Sequence, residues 1–272
     1  MAESLPQEGR GIVAETLKAG AIAPGTLWGI GVGPGNPDWL TLEGQRVLRS
    51  VAGVAVPQNR QGEPGMAWTI ARSHLRPDQP VWPLHLPFVT DAATLTSAWD
   101  QAIATILPHL EAGQSIAFLA EGDTSFYSTF SHLARVLGDR APQIPIRTLP
   151  GICSPLAAAA ALGVPLSVWD ETVVILPAMY DRAKVQQALN WAEVVVLMKV
   201  ASVFDWLWEE LARRQWLDRA ALVEWVGGDR QQCFPSLAPL QHHRPPYFSL
   251  VMVWTGDRPR FPRLESPNQS RS

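Results

Sequence analysis

Short apolar segments alternate along the chain with segments whose apolar residues recur at helical spacing. A half-buried helix repeats its apolar face about every 3.6 residues, so this alternation predicts strands followed by helices. In the first part of the chain the predicted strands are Thr26–Val32, Ala52–Val56, Val81–Leu86, Ser115–Leu119 and Ile144–Thr148, and the predicted helices are Asp38–Ser50, Gly65–Ser73, Asp91–Glu111 and Ser125–Leu137. Strands separated by helices are typical of parallel sheets that are covered on both faces.

The pattern starts again after Leu149–Gly151 and becomes richer in strands towards its end. Its predicted helices are Ser154–Leu162, Asp181–Asn190 and Ser202–Arg214, and its predicted strands are Thr172–Leu176, Glu193–Met198, Ala220–Trp225, a weaker Gln231–Phe234, and Tyr247–Trp254. We therefore predict an α/β fold with two domains, residues 26–149 and residues 150–257. The composition of residues 1–25 predicts a flexible N-terminal extension, and the prolines after Arg258 predict a flexible tail over residues 258–272.

The composition supports globular cores and limits the classes of partner. The chain has 272 residues, of which 47% are hydrophobic, which is enough for one large domain or two modest ones. Its formal net charge is -3 and it has no run of Lys or Arg, which argues against a nucleic-acid partner. Long apolar stretches such as Ile152–Val168 are interrupted by proline and glycine, so we predict no membrane-spanning segment.

Cysteine and histidine usage bears on the compartment and on metal binding. The two cysteines, Cys153 and Cys233, form no CxxC motif, and the N-terminal residues lack the pattern of a signal peptide. This usage indicates a reducing, cytoplasmic setting. The six histidines are scattered and none belongs to an HExxH or Cys/His motif, so we predict no protein-bound metal.

A glycine-rich loop, Gly29–Asn36, links the first predicted strand to the first predicted helix. Glycines allow a sharp turn and a close approach to a ligand, and a helix N-terminus attracts anions. The dinucleotide fingerprint GxGxxG does not fit, because its third glycine would fall on Pro34 or on Asn36. The P-loop's Gly-Lys-Ser/Thr is also missing. A ligand-binding loop and a tight turn without a ligand both remain open on this evidence.

Two further strand-to-helix junctions carry polar residues. Glu121, Gly122 and Asp123 follow the fourth predicted strand, at the sheet edge where α/β proteins bind ligands. Asp123 suits a ligand contact and an Asx turn equally well. At the next junction, Ser154 is better suited to cap the following helix than to act as a nucleophile. Cys153 suits a small buried residue better than a reactive thiol.

Taken together and in this order, the three junctions resemble those of the tetrapyrrole methylase family. Gly31–Asp38 resembles the family's GxGPGDP loop, Glu121–Thr124 its GDP segment, and Pro150–Ser154 its PGxSS segment. The chain departs from these motifs at Asn36, Thr124 and Cys153, where the family commonly has aspartate, proline, and serine or threonine. A branch of the family that methylates C20 of precorrin-2, or of its cobalt-loaded form, is similar at Asp123–Phe130, Leu176–Ala178, Val195–Val200 and Pro246–Ser249.

The resemblance implies the two-domain tetrapyrrole methylase (class III methyltransferase) fold, with the active site in the interdomain cleft, and usually a homodimer. It also implies S-adenosylmethionine as the methyl donor, held largely by backbone groups of the junction loops. The cofactor-binding residues that it implies are Pro34, Glu121, Gly122, Asp123, Ser125, Cys153, Ser154, Ala178, Tyr247, Phe248 and Ser249.

The implied reaction is the methylation of precorrin-2 at C20 to give precorrin-3A in cobalamin biosynthesis. Such a substrate carries many carboxylates, which predicts basic partners in the cleft. The candidates are Arg60, Arg72, Arg182, Lys184 and Lys199, although each by itself is more typical of a solvated surface charge. No residue is identified as a catalytic base. The alternatives are the same reaction on cobalt-factor II, methylation at another tetrapyrrole position, and a non-catalytic tetrapyrrole-binding protein. A nucleotide-dependent oxidoreductase is disfavoured, because the glycine loop does not fit the GxGxxG fingerprint.

Overall fold

The computed structural model describes residues 23–59, 61–87, 91–177 and 181–256. Two predicted site residues, Arg60 and Ala178, lie outside the described residues. The predicted tail, and all but the last three residues of the predicted N-terminal extension, also lie outside them. Among the described residues, no helix combines the length and the apolar character needed to cross a bilayer.

The first half of the chain forms a parallel sheet with helices on both faces. Its strands follow the order β3-β2-β4-β1-β5. Residues of β4 alternate between the two faces: Phe118 packs in a core with the third and fourth helices, and Leu119 in a core with the first and second. The elements are β1 (Leu27–Gly31), α1 (Leu42–Ser50), β2 (Gly53–Pro57), α2 (Met66–Ala71), β3 (Val81–Leu84), α3 (Ala92–Glu111), β4 (Ile116–Ala120), α4 (Phe130–Arg140) and β5 (Ile146–Leu149).

The second half forms a mixed sheet with the strand order β6-β7-β10-β8-β9. Strands β6 and β7 are parallel, whereas β10 runs antiparallel to both β7 and β8. No α-helix separates β8, β9 and β10 in the chain, and antiparallel strands need no helical crossover. The elements are α5 (Ser154–Leu162), β6 (Val173–Leu176), α6 (Arg182–Trp191), β7 (Val194–Met198), α7 (Phe204–Arg213), β8 (Ala220–Glu224), β9 (Gln232–Phe234) and β10 (Ser249–Trp254). The predicted α/β class is confirmed, with helices between strands throughout the first half.

The structure corrects two helix starts and one helix cap. The prediction of a helix from Asp38 is wrong, because Asn36 caps a separate 3-10 turn and Thr41 caps α1 by accepting the Gly44 N–H at 3.0 Å. Helix α4 begins at Phe130 and not at Ser125, since the intervening residues form turns. The prediction that Ser154 caps α5 is also wrong, because Cys153 holds the N-cap position and makes no side-chain cap hydrogen bond.

The capping assignment on α1 can be tested with a matched pair of variants. Thr41→Ala is expected to lower the free energy of unfolding by about 1 kcal/mol, because it leaves an orphan N–H in the first turn. Asp38→Ala, three residues earlier, is expected to change it by less than about 0.5 kcal/mol. Urea unfolding followed by circular dichroism measures both values. A larger loss for Asp38→Ala than for Thr41→Ala would contradict the assignment.

Candidate active site

The three predicted junctions meet backbone to backbone at the carboxyl edge of the first sheet. Gly33 and Gly122 form an antiparallel bridge through N–H···O distances of 3.1 and 2.9 Å. A Cβ added to Gly151 would lie 2.1 Å from the Gly122 oxygen and 2.7 Å from the Gly31 carbonyl carbon. Contacts this close exclude any side chain at Gly151. The loops after β1, β4 and β5 therefore form one unit, which we call the junction cluster (Gly31–Gly33, Gly122–Thr124 and Gly151).

Asp123 ties this junction cluster together through its carboxylate. One oxygen accepts the Gly151 N–H at 2.8 Å, and the other accepts the Ser125 N–H at 2.8 Å and the Ser125 hydroxyl. Burial acts to raise the pKa of Asp123, but these hydrogen bonds outweigh it and hold the pKa below its usual value. Asp123 thus forms the Asx turn that its sequence context suggested, and also links the second junction to the third.

Thr124, which departs from the family motif, fixes the position of the β4 loop by a side-chain hydrogen bond. Its side chain is buried, and its hydroxyl donates to the Leu149 carbonyl oxygen at 3.3 Å. This hydrogen bond fastens the β4 loop to the end of β5. A threonine hydroxyl thus ties the turn to the neighbouring strand at the position where the family commonly has proline.

The glycine loop also contacts the second half of the chain. A Cβ on Gly35 would lie 2.4 Å from the Val226 oxygen, so the backbones of these loops touch. Trp39 packs against Gly227 and joins the core of the second half beside α5. This contact between residues distant in sequence joins the two halves along one side.

Tyr127 joins the halves at a second place. Its hydroxyl donates to the Ile175 carbonyl oxygen on β6 at 3.2 Å. The residue has a φ of 51°, a left-handed conformation that is uncommon outside glycine. The ends of β4, β6 and β7 lie near one another, because Tyr127 contacts Ile175 and Lys199 acts electrostatically on Glu121; we call this region between the two halves the cleft.

Glu121 and Lys199 contribute opposite charges to this cleft from the two halves. Each directly follows a strand, β4 or β7, and Lys199 has the left-handed φ of 58°. The Lys199 N–H donates to the Ser249 carbonyl, and its ammonium lies 5.3 Å from the centre of the Tyr247 ring. Glu121 is accessible to solvent but densely surrounded by protein, and this burial raises its pKa to about 7, although Lys199 acts to lower it.

Aromatic residues from the loops around β8 and β10 also contribute to the second half's side of the cleft. The Trp225 and Phe248 rings lie 4.8 Å apart, and the Arg230 guanidinium lies 3.6 Å from the centre of the Trp225 ring. Phe248 and Tyr247 were predicted, whereas Trp225 and Arg230 were missed. The Gly227-Gly228 pair after β8 is the sequence signal that could have pointed to this loop.

The structure brings many of the predicted cofactor residues into one region and shows what their side chains do. Pro34, Gly122 and Cys153 belong to the three junctions. The hydroxyls of Ser125 and Ser249 donate within the protein, to Asp123 and to the Pro246 carbonyl. Because these side chains are engaged internally, any contact from this region to a ligand would come chiefly from backbone groups. The binding assignments themselves stay predictions.

The predicted basic residues are spread more widely. Only Lys199 is placed by the structure beside other candidate site residues, among those described. Arg72 lies 5.7 Å from the centre of the Trp68 ring, Arg182 lies 5.3 Å from that of Trp206, and Lys184 is exposed on α6. Within the described part of the chain, no three His, Cys, Asp or Glu residues are grouped as metal ligands would be.

Comparison of sequences places the chain among known proteins. It is 30% identical over 230 residues to the cobalt-precorrin-2 C(20)-methyltransferase of Salmonella typhimurium, covering 84% of the chain and 96% of the relative. It is 31% identical over 248 residues to the precorrin-2 C(20)-methyltransferase of Sinorhizobium sp, covering 88% and 99%. Its match to the cobalamin biosynthesis protein CobIJ of Mycobacterium tuberculosis is 33% identical over 244 residues, covering 87% of the chain but 47% of CobIJ. The chain thus spans about half the length of CobIJ and nearly the whole of the other two.

Solved structures share the fold at low sequence identity. A cobalt precorrin-4 methyltransferase, CbiF, matches with a TM-score of 0.64 at 17% identity, over 86% of this chain and 98% of that one. Uroporphyrin-III C-methyl transferase from Thermus thermophilus, complexed with S-adenyl homocysteine, matches with a TM-score of 0.60 at 16% identity, over 84% and 97%.

The family model for Tetrapyrrole (Corrin/Porphyrin) Methylases matches residues 26–240, which include the first sheet, all three junctions and every strand of the second sheet except β10. This match covers well over half of the chain and agrees with the resemblance of its three motifs. The chain belongs to the tetrapyrrole methylase family.

Proposed function

We propose that this protein transfers a methyl group from S-adenosylmethionine to C20 of precorrin-2, giving precorrin-3A in cobalamin biosynthesis. The observation that supports the proposal most is that Glu121, next to the junction cluster of the first half, lies near Lys199 of the second half, whose ammonium is 5.3 Å from the centre of the Tyr247 ring. Support also comes from two C(20)-methyltransferases that align with the chain over nearly their whole length. The same reaction on cobalt-factor II is kept as the alternative, because one relative is named for a cobalt-loaded substrate, cobalt-precorrin-2, and the other for precorrin-2, at 30% and 31% identity.

The junction cluster is suited to hold the donor. Gly33 and Gly122 have positive φ angles, and a Cβ added to either would meet no atom closer than 3.6 Å. The loops are therefore open on one side, where a ligand can approach the backbone closely. We assign donor binding to the predicted set, with Pro34, Glu121, Gly122 and Cys153 contributing backbone groups, so that the Glu121 carboxylate itself is not assigned to the donor.

S-adenosylmethionine supplies an already activated methyl group on a cationic sulfur. The protein therefore has to align donor and acceptor, which can contribute about 7–11 kcal/mol in ideal cases. Closing the cleft around the acceptor would exclude water and strengthen electrostatic interactions. Lys199 and Arg230, both at the cleft wall, suit the carboxylates of a tetrapyrrole, and arginine binds them in a bidentate way.

The remaining parts of the proposal follow from the resemblance and from the composition. We propose a homodimer in the cytoplasm, without a protein-bound metal and without nucleic-acid or membrane partners. Domain bounds of 26–149 and 150–257 are proposed with it. Exposed Leu156, on the first turn of α5, and exposed Trp169 are apolar surface that a second copy would cover. Light scattering of the purified chain measures its oligomeric state.

One experiment tests the proposed activity. The purified chain is incubated with S-adenosylmethionine and either metal-free precorrin-2 or cobalt-factor II, and the products are examined by mass spectrometry and NMR. We expect one added methyl group, located at C20. Methylation at another carbon would overturn the assigned position. Tetrapyrrole binding without any transfer to either acceptor would favour a non-catalytic tetrapyrrole-binding protein.

A further inference from the structure

Glu121 differs from Asp123, its neighbour in the same loop, in the use of its carboxylate. Both oxygens of Asp123 accept hydrogen bonds from the junction cluster and its flank. Among the described residues, no hydrogen-bond donor contacts the carboxylate of Glu121, which is accessible to solvent in the cleft. A carboxylate that holds no part of the fold, yet lies at the end of a central strand, is available for chemistry.

The charge of Glu121 is also unfavourable for simple substrate binding. A substrate that carries several carboxylates is repelled by an ionised carboxylate in its own site. The charged group that acts on Glu121 is Lys199 at the end of β7, whose ammonium lies 5.3 Å from the centre of the Tyr247 ring, while Asp123 follows two residues later in the same loop. Lys199 offsets part of the repulsion. Burial disfavours the ionised form of Glu121, and the carboxylates of the substrate repel it. Its presence in the cleft is therefore not explained by substrate binding and indicates another role.

We propose that the Glu121 carboxylate is the base that accepts the proton released from the methylated carbon. The proposal rests on the proposed function, because it assigns a residue to that reaction. A pKa near neutrality suits this role, since a base with such a pKa is substantially ionised at pH 7 and still binds a proton well.

The step is balanced in atoms and electrons. The acceptor carbon uses a π electron pair to form the new carbon–carbon bond, and the pair of the broken S–CH3 bond stays on sulfur. The sulfonium thereby becomes a neutral thioether, and its positive charge passes to the macrocycle. The carbon then loses its hydrogen as a proton to a Glu121 oxygen, and the C–H pair restores the π system. The carboxylate becomes a carboxylic acid, which later returns the proton to water.

The variant Glu121→Gln keeps the size of the side chain and removes the base. In the full chain we expect kcat to fall roughly 100- to 10,000-fold, while the dissociation constant of S-adenosylhomocysteine, measured by calorimetry, changes by less than about threefold. Glu121→Asp keeps the carboxylate and is expected to retain more activity than Glu121→Gln. If Glu121→Gln has the wild-type kcat at saturating S-adenosylmethionine but binds S-adenosylhomocysteine more weakly, the proposal is overturned. That result would show that the Glu121 side chain binds the methyl donor.

The pH dependence gives a second and independent readout. The wild-type kcat is expected to fall as the pH drops through about 7, because the protonated acid cannot accept a proton, and Glu121→Gln is expected to lose this limb. Carbon-13 NMR of the glutamate carboxyl groups, assigned with Glu121→Gln, should show one group titrating near pH 7 in the protein without substrate. Titration of Glu121 near its ordinary value of 4.5 would overturn the proposal. An inactive wild-type chain would instead overturn the proposed function, which separates the two failures.

Discussion

Replacing Gly151 by alanine is expected to lower the free energy of unfolding by about 3 kcal/mol or more and to abolish binding of S-adenosylhomocysteine. The added methyl group would lie 2.1 Å from the Gly122 oxygen and 2.8 Å from the Gly31 Cα. Both neighbours are backbone atoms of the junction cluster, so neither can move aside by changing a rotamer. Gly151 does not have a positive φ, so the cost arises from contact and not from backbone conformation.

The matched control is Gly138→Ala. Gly138 lies within α4, and a Cβ there would approach only the end of the Ile146 side chain, at 4.0 Å. Alanine is favoured over glycine inside a helix, so this variant is expected to be neutral or to gain up to about 1 kcal/mol. Urea unfolding and calorimetry of S-adenosylhomocysteine binding measure both variants. Equal stability of Gly151→Ala and Gly138→Ala would contradict the backbone-to-backbone packing of the three loops.

The periodicity of apolar residues predicted most of the fold, because it reflects burial along single elements. Helix α5 begins and ends where the pattern placed it, and each predicted strand is present with its ends shifted by a few residues. Strand β4 shows the reason: Phe118 and Leu119 are both fully buried, on opposite faces of a sheet that has helices on each side. The antiparallel pairing of β10 with β7 and β8 depends on connections that no local pattern specifies.

The site was predictable where the contacting residues lie in recognisable motifs. The three junctions were found in this way, and the structure brings them together. The contact of Gly35 with Val226 and the insertion of Trp39 into the core of the second half were missed. These contacts join residues nearly 200 positions apart in the chain, and no spacing rule links them. The role of Asp123 was left open because an Asx turn and a ligand contact use the same residue type.

Asp123→Ala is expected to be the second severe variant, with a loss of about 2 kcal/mol in the free energy of unfolding at pH 7. The substitution removes the acceptor of the Gly151 N–H, at 2.8 Å, and of both donors of Ser125. Hydrogen bonds to a charged acceptor contribute about 1.5–3 kcal/mol each, and partial exposure reduces that value here. Because Gly151 is no longer tied to the β4 loop, S-adenosylhomocysteine binding should weaken by about tenfold or more.

The pH dependence of this loss identifies the carboxylate as its source. These hydrogen bonds lower the pKa of Asp123 below its ordinary value of 3.8, so the unfolded chain binds this proton more readily than the folded protein. The stabilisation is therefore complete above pH 3.8 and is lost as the pH falls through the lower pKa of the folded state. The difference in the free energy of unfolding between wild type and Asp123→Ala should shrink over that acidic range.

Asp139→Ala, which removes an exposed partner of Arg135, serves as the control and is expected to lower the free energy of unfolding by less than about 0.5 kcal/mol. A loss for Asp123→Ala no larger than that of this control would show that the carboxylate does not hold the junction cluster together.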